Sequence, residues 1–175
     1  GHQRPSLMRE DGIWKMWYDY RESYIGYAEC SGDFLTGPWQ EKYCGRHSLH
    51  HSVDFDVIRI GDIYYAWGDP YLCWEGIQDE RVPFYPDDPA NWCGRQIVEY
   101  QSRDGFAWQA TGYFLPDDGY DAIQIPQAFI DHKRRRVCIF YATQRGKREG
   151  DQYDWRWDTL RYRWKSFEDF ALPEH

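Results

Sequence analysis

The sequence lacks the signatures of several common chemistries. Its 175 residues contain no C-x-x-C pair, no glycine-rich phosphate loop, no dinucleotide fingerprint and no Ser/His/Asp order of a serine hydrolase. A zinc ribbon and the usual nucleotide and nucleophile motifs are therefore not expected. No run of about 18 apolar residues occurs, so no transmembrane helix is expected. No apolar h-region follows the start of the chain, so no secretory leader is expected either. Basic charge is in deficit: 21 Lys and Arg stand against 29 Asp and Glu, a formal net charge of −8. Phosphate backbones and anionic lipid surfaces call for the opposite sign, which argues against nucleic-acid and membrane partners. The cysteines number five, an odd count at wide spacing. Cys30, Cys73 and Cys138 sit within apolar or aromatic runs and read as buried, reduced thiols, which suits a cytoplasmic protein.

Aromatic residues, by contrast, are abundant. Ten Trp, 15 Tyr and 9 Phe make up 19% of the chain. Mean hydropathy is low at −0.88, yet the aromatic and β-branched residues fall in short clusters. Such residues favour strands, and a disordered chain would have few of them. The expected class is all-β.

An internal repeat organises these clusters. Leu7-Met-Arg-Glu-Asp-Gly-Ile-Trp-Lys-Met-Trp-Tyr18 aligns without a gap on Val57-Ile-Arg-Ile-Gly-Asp-Ile-Tyr-Tyr-Ala-Trp-Gly68. A third copy, one residue longer, runs from Phe129 to Tyr141. Each copy reads as strand, polar turn, aromatic strand. Asp11-Gly12 and Gly61-Asp62 are hairpin-turn dipeptides, and His132 to Arg135 takes their place in the third copy. Further strands follow, around Ile25–Ser31 and Ile97–Ser102, each leading through a turn to a Trp that opens one more strand. In the third copy, Tyr153–Trp157 and Leu160–Trp164 alternate as strands do. The unit is a four-stranded antiparallel meander of about 50 residues, a propeller-blade period. The sequence thus predicts a single β-propeller-like domain of about three four-stranded blades. Blade 1 lies at about 3–45, blade 2 at about 50–112 with a proline-rich long loop at 69–95, and blade 3 at about 120–170. Closed propellers typically carry four to eight blades. A three-blade set leaves an apolar end face of about 400 Å² to be covered, and a homo-oligomer is expected.

Several stretches carry a family resemblance: Arg4-Pro-Ser-Leu7, Trp14-Lys-Met-Trp-Tyr18, Ile25-Gly-Tyr-Ala28, Ser102-Arg-Asp-Gly-Phe-Ala-Trp108 and Asp118-Gly-Tyr-Asp121. They resemble the five-bladed propeller glycosidase superfamily of β-fructosidases, arabinanases, xylosidases and related uncharacterised proteins. The resemblance covers most of the chain but about three of five blades, so the fold expected is an incomplete propeller of that type. It implies acidic residues around a central funnel. Arg4 or Ser6 stands where many members have Asp in the first blade, and Asp54 aligns with Arg4 in the second. Ala122 and Ile123 replace the Ser and Glu that follow the Asp121 position in the uncharacterised relatives.

Antiparallel order gives an independent location for the chemistry, because the start of each first strand and the end of each second strand share one face. That face collects Asp19, Glu22, Asp54, Asp69, Asp121, Gln124 and Arg145, among others. A glycosidase needs two carboxyls, one protonated and one ionised, flanking the scissile bond. The expected catalytic set is Asp54 and Asp121 with Glu22 as a third acid. The expected substrate-binding set is Arg4, Asp19, Asp69, Gln124, Arg145, Trp74 and Trp92, the two tryptophans as sugar-stacking rings in the long loop. Asp54 reads equally as a turn former, Asp19 and Glu22 as loop-solvating charges, Asp69 and Asp117-Asp118 as turn residues, and Arg4 as a partner of Asp54 or Asp121. The histidines at 47, 50 and 51 lack acidic partners at ligand spacing, so neither a metal nor another cofactor is expected. Arg134-Arg135-Arg136 reads as a solvated hairpin turn. Two functions follow: a carbohydrate-active protein that cleaves a glycosidic bond, or a non-catalytic glycan-binding or self-associating propeller remnant.

Overall fold

The computed structural model describes residues 2–20, 24–43, 54–69, 97–113, 122–144 and 159–170. They form three antiparallel sheets in chain order. The first contains β1 (His2–Glu10), β2 (Ile13–Tyr20), β3 (Tyr24–Cys30) and β4 (Gln40–Tyr43), ordered as a meander. The second contains β5 (Asp56–Ile60), β6 (Ile63–Gly68), β7 (Val98–Ser102) and β8 (Gln109–Tyr113), again in sequence order. The third contains β9 (Ala122–Asp131), β10 (Arg136–Gln144) and β11 (Thr159–Ser166). A 3-10 turn at Phe167–Asp169 follows β11. The chain is all-β and propeller-like, as its repeat requires. The third sheet has three strands among the described residues, and the predicted strand at 153–157 lies outside them.

Local chemistry sets the hairpins. Glu10 pairs with Ile13 across Asp11 (φ 50°) and Gly12 (φ 83°), so both turn residues are left-handed, as a type I′ turn demands. Ile60 pairs with Ile63 across Gly61 (φ 60°) and Asp62, with the left-handed residue first. That is the II′ pattern, and glycine tolerates it without steric penalty. The third copy closes with a four-residue loop, His132 to Arg135, in which Arg135 takes φ 50°.

The first strands of the three sheets lie side by side, β5 between β1 and β9. Two apolar layers fill the gaps between sheets. Trp17, Ile25, Tyr27, Phe55, Val57, Tyr64, Ala66, Val98 and Tyr100 form the layer between the first and second sheets. Ile58, Ile63, Tyr65, Trp67, Ile97, Val137, Ile139, Tyr141 and Phe170 form the layer between the second and third. The alternation of side chains along a strand therefore sends residues of the second sheet into both layers. Cys30 and Cys138 are buried free thiols.

The register makes the repeat quantitative. Ser6 pairs with Trp17, Asp56 with Trp67, and Gln127 with Phe140. Ser6, Asp56 and Gln127 are thus one position seen three times. Asp56 uses that position to join all three sheets. Its Oδ1 accepts from Ser6 Oγ (2.7 Å) and its Oδ2 from the Ala128 amide (2.5 Å), while Ser6 Oγ also accepts from the Val57 amide (2.9 Å). Burial pushes the Asp56 carboxyl above its ordinary range, against the opposing pull of these bonds.

Candidate functional site at the mouth of the first strands

Two residues before the position held by Ser6, Asp56 and Gln127 stand Arg4, Asp54 and Ile125. All three are left-handed, with φ of 49°, 51° and 56°. A non-glycine residue in that region costs about 1–2 kcal/mol. Its recurrence at the same place in three sheets marks a backbone device of the fold. In the first sheet it coincides with a register irregularity between Gln3 and Ser6, and in the third with one between Phe140 and Ala142 on the partner strand. Pro5 and Pro126 follow two of the three.

A carboxyl group from the preceding sheet secures the left-handed residue in each of the two later sheets. Asp19 lies near the end of β2, and its Oδ2 accepts from the Asp54 amide at 3.2 Å. Asp69 follows β6, and its Oδ2 accepts from the Ile125 amide at 2.9 Å. Both are two residues beyond the equivalent tryptophans Trp17 and Trp67. Both are also buried, Asp69 completely. Each aspartate is therefore a latch: from the end of the second strand of one sheet it holds the left-handed residue in or just before the first strand of the next.

Asp19 has a second task. Arg4 Nη1 donates to Asp19 Oδ2 at 3.2 Å, and Arg4 Nε lies 2.7 Å from Asp54 Oδ1. One guanidinium thus bridges two buried carboxylates from adjacent sheets. The Arg4 side chain is 46% exposed, against 6% for Asp19 and 3% for Asp54. Arginine suits this position because its planar fork serves two acceptors at once. The Asp19 carboxyl is pushed up to about 6, chiefly by burial and also by the Asp54 charge, with the Asp54 amide and Arg4 acting in the opposite direction. Asp19 Oδ1 is buried without a hydrogen-bond partner among the described residues, and a protonated carboxyl tolerates that environment better than a carboxylate.

A pH signature follows from that shift. A carboxyl whose folded pKa is raised favours the protonated native state. Its contribution to stability is full below the ordinary value of 3.8 and is lost as pH rises through about 6. Relative to Asp19→Asn, the unmodified chain is expected to lose about 2 kcal/mol of unfolding free energy between pH 4 and pH 7. Urea titrations of both proteins at four pH values across that window measure the difference. A difference that stays flat, or grows with pH, would contradict the assignment.

The sequence-predicted residues sort as follows. Asp54, Arg4 and Asp19 come together as one cluster. Asp69 stands at the equivalent place one sheet on, bonded to the Ile125 amide. Gln124 lies on β9, one residue before Ile125. Glu22, Asp121, Arg145, Trp74 and Trp92 lie outside the described residues, as do the three histidines of 47–51. Sequence reasoning missed Asp56 and Ile125. Asp56 could have been found by carrying the alignment from Ser6, and Ile125 by matching Ile125-Pro126 to Arg4-Pro5.

Solved structures of similar shape are glycoside hydrolases. The chain superposes over its whole length on 51% of a thermostable family-43 glycoside hydrolase, with a TM-score of 0.64 at 13% identity. It also covers 54% of an endo-1,4-β-xylanase from Bacteroides thetaiotaomicron, with all of this chain matched, a TM-score of 0.59 and 11% identity. A GH32 β-fructofuranosidase from Bombyx mori, solved with sucrose, matches 91% of this chain and 33% of its own, with a TM-score of 0.57 at 14% identity. The chain spans about half the length of these proteins or less. The likeness is one of fold: this chain has the sheet arrangement of part of a glycosidase β-propeller. No protein-family model matches the sequence, and no curated protein does.

Proposed function

We propose that this chain supplies part of a carbohydrate-binding funnel and that Asp54 and Asp19 are its reactive carboxyls. The observation that carries this reading is the bridge from Arg4 to two buried carboxylates at the mouth of the first strands. Glycosidic cleavage needs one carboxyl that holds a proton near neutrality and one that is ionised. Asp19, pushed up to about 6, suits the first role. Asp54, ion-paired with Arg4, suits the second. Arg4 is the exposed member of the cluster, positioned to exchange a carboxylate contact for a substrate hydroxyl. Glu22 and Asp121 are proposed as further acids on the same rim, and Trp74 and Trp92 as stacking surfaces for sugar rings. The fold of the glycoside hydrolases described above supports a carbohydrate as the ligand class.

The test is Asp54→Asn assayed on a panel of aryl and oligosaccharide glycosides. The amide retains the size of the carboxylate but cannot act as base or nucleophile. Turnover is expected to fall about 10²–10⁴-fold with an unchanged circular dichroism spectrum. Undiminished turnover in that variant would remove Asp54 from the mechanism.

One observation favours a second reading, glycan binding without cleavage. The third sheet puts Ile125 at the position that holds Asp54 in the second, so the ring of equivalent sites is not uniformly acidic. Saturable oligosaccharide binding by calorimetry, with no hydrolysis across the panel, would select this reading.

A further inference from the structure

The third sheet presents an apolar face with no cover among the described residues. Phe129 is 60% exposed, Leu160 73%, Tyr162 64%, Trp164 57% and Phe140 39%. The register puts them on one side. Phe129 and Trp164 both pair with Cys138, Tyr162 pairs with Phe140, and Leu160 pairs with Ala142. The Phe140 and Tyr162 rings lie 5.8 Å apart. Four aromatics and a leucine exposed to this degree present on the order of 500 Å², as much as the largest apolar patch of an ordinary monomer.

The internal repeat says what kind of surface belongs there. Phe140 stands where the first two sheets have Trp17 and Trp67, which are 1% and 0% exposed. Phe129 stands where the second sheet has Ile58, 7% exposed. In the first two sheets this front side is buried because the back side of the following sheet lies on it. The back side of the second sheet is Val57, Tyr64 and Ala66, packed against Trp17. The equivalent back side of the first sheet is Leu7, Trp14 and Met16, and no sheet precedes it among the described residues. Leu7 is 43% exposed, whereas its counterpart Val57 is 4% exposed. Among the described residues the same interface is therefore open at two places, a front on the third sheet and a back on the first.

We infer that the front of the third sheet seats the back of the first sheet of a second copy of this chain, and that the contact occurs twice in a closed two-copy ring. The face continues the two sheet-to-sheet interfaces already formed within the chain, so the occupant it fits is a sheet bearing the Leu7, Trp14, Met16 pattern. Two copies of three sheets make six, inside the four to eight of closed propellers. A twofold axis along the ring centre relates the two contacts and leaves no apolar face open. Two contacts of this size together reach the range of a stable dimer.

Light scattering on a sizing column tests the inference with the 175-residue chain. The expected result is a dimer that becomes a monomer on Phe129→Glu with Trp164→Glu, and also on Leu7→Glu. All three positions are exposed, so each variant keeps its circular dichroism spectrum. Mixing the front variant with the back variant restores one intact contact and is expected to give a one-to-one complex. A monomeric unmodified chain overturns the inference and assigns the face to further blades of a longer protein. A dimer that survives Leu7→Glu overturns it in favour of front-to-front pairing, and open-ended assemblies overturn the closed ring. None of these outcomes depends on carbohydrate turnover.

Discussion

Lys165→Met is expected to lower the unfolding free energy by about 3 kcal/mol. Glu99 on β7 is buried between the second and third sheets, and Lys165 on β11 reaches across to it. Lys165 Nζ lies 2.9 Å from Glu99 Oε1 and 3.2 Å from Oε2. Trp67 Nε1 donates to Oε2 at 3.2 Å, and Thr111 Oγ1 to Oε1 at 3.3 Å. The Glu99 side chain is only 10% exposed. Methionine retains the packing of the lysine stem, whose ammonium lies 4.5 Å from the Phe170 ring centroid. What it removes is the charge that offsets a desolvated carboxylate. The loss is set at the lower end of the range for buried pairs because Lys165 is 25% exposed. Glu99→Leu combined with Lys165→Met is expected to recover most of the loss, since an apolar pair of similar volume leaves no charge uncompensated. Denaturant titration of the four proteins in this cycle gives the coupling directly. A single Lys165→Met variant within about 0.5 kcal/mol of the unmodified chain would show that water already solvates Glu99.

Trp17→Ala is expected to cost about 3–5 kcal/mol, the range for removing a buried aromatic side chain. Trp17 is 1% exposed and sits at the centre of the layer between the first two sheets. Its ring centroid is 5.2 Å from that of Tyr27 and 5.9 Å from that of Tyr64. Its Nε1 donates to the Gly105 carbonyl at 2.9 Å, 88 residues away. The turn that carries Gly105 is shaped to receive it. Asp104 Oδ1 accepts from the Phe106 and Ala107 amides, both at 2.8 Å, and Ser102 Oγ accepts from the Gly105 amide at 2.9 Å. Gly105 itself has φ 79°, and a Cβ there would lie 3.2 Å from Trp17 Cζ2. Trp17→Phe separates the two contributions, because it keeps a ring in the layer and leaves the Gly105 carbonyl unsatisfied. It is expected to cost about 1–3 kcal/mol. Thermal and denaturant unfolding of both variants measure this, and a Phe variant as damaging as the Ala variant would mean that the hydrogen bond, not the burial, dominates.

Much of the fold was legible from residues close together in the chain. Asp11-Gly12 and Gly61-Asp62 announced their turns because left-handed backbone at two-residue hairpins is a local steric demand. The repeat aligned Trp17 with Trp67, and both are buried. The Arg4 to Asp54 ion pair was among the expected partnerships. The position of Asp19 and Asp69 at one end of the sheets followed from antiparallel order, but their use as latches did not. Each bonds the amide of a residue 35 or 56 positions later. No spacing rule foretells that, because it depends on how far one sheet is offset against the next. Asp56 escaped notice for the same reason, since its partners Ser6 and Ala128 lie 50 and 72 positions away.

By itself, then, the sequence determined the class, the repeat, the hairpins and the end of the sheets where the acids gather. These rest on turn sterics and on the two-residue alternation of strands, which act over a few residues at a time. The tertiary structure alone decided that Asp19 both holds the Asp54 amide and meets Arg4, while Asp69 holds the Ile125 amide. It also decided that Asp19 carries a raised carboxyl pKa and that Phe129, Phe140 and Trp164 stand exposed where their counterparts are buried. Desolvation and sheet-to-sheet packing depend on what the rest of the chain brings alongside, and that is a property of three sheets docked together rather than of any one stretch.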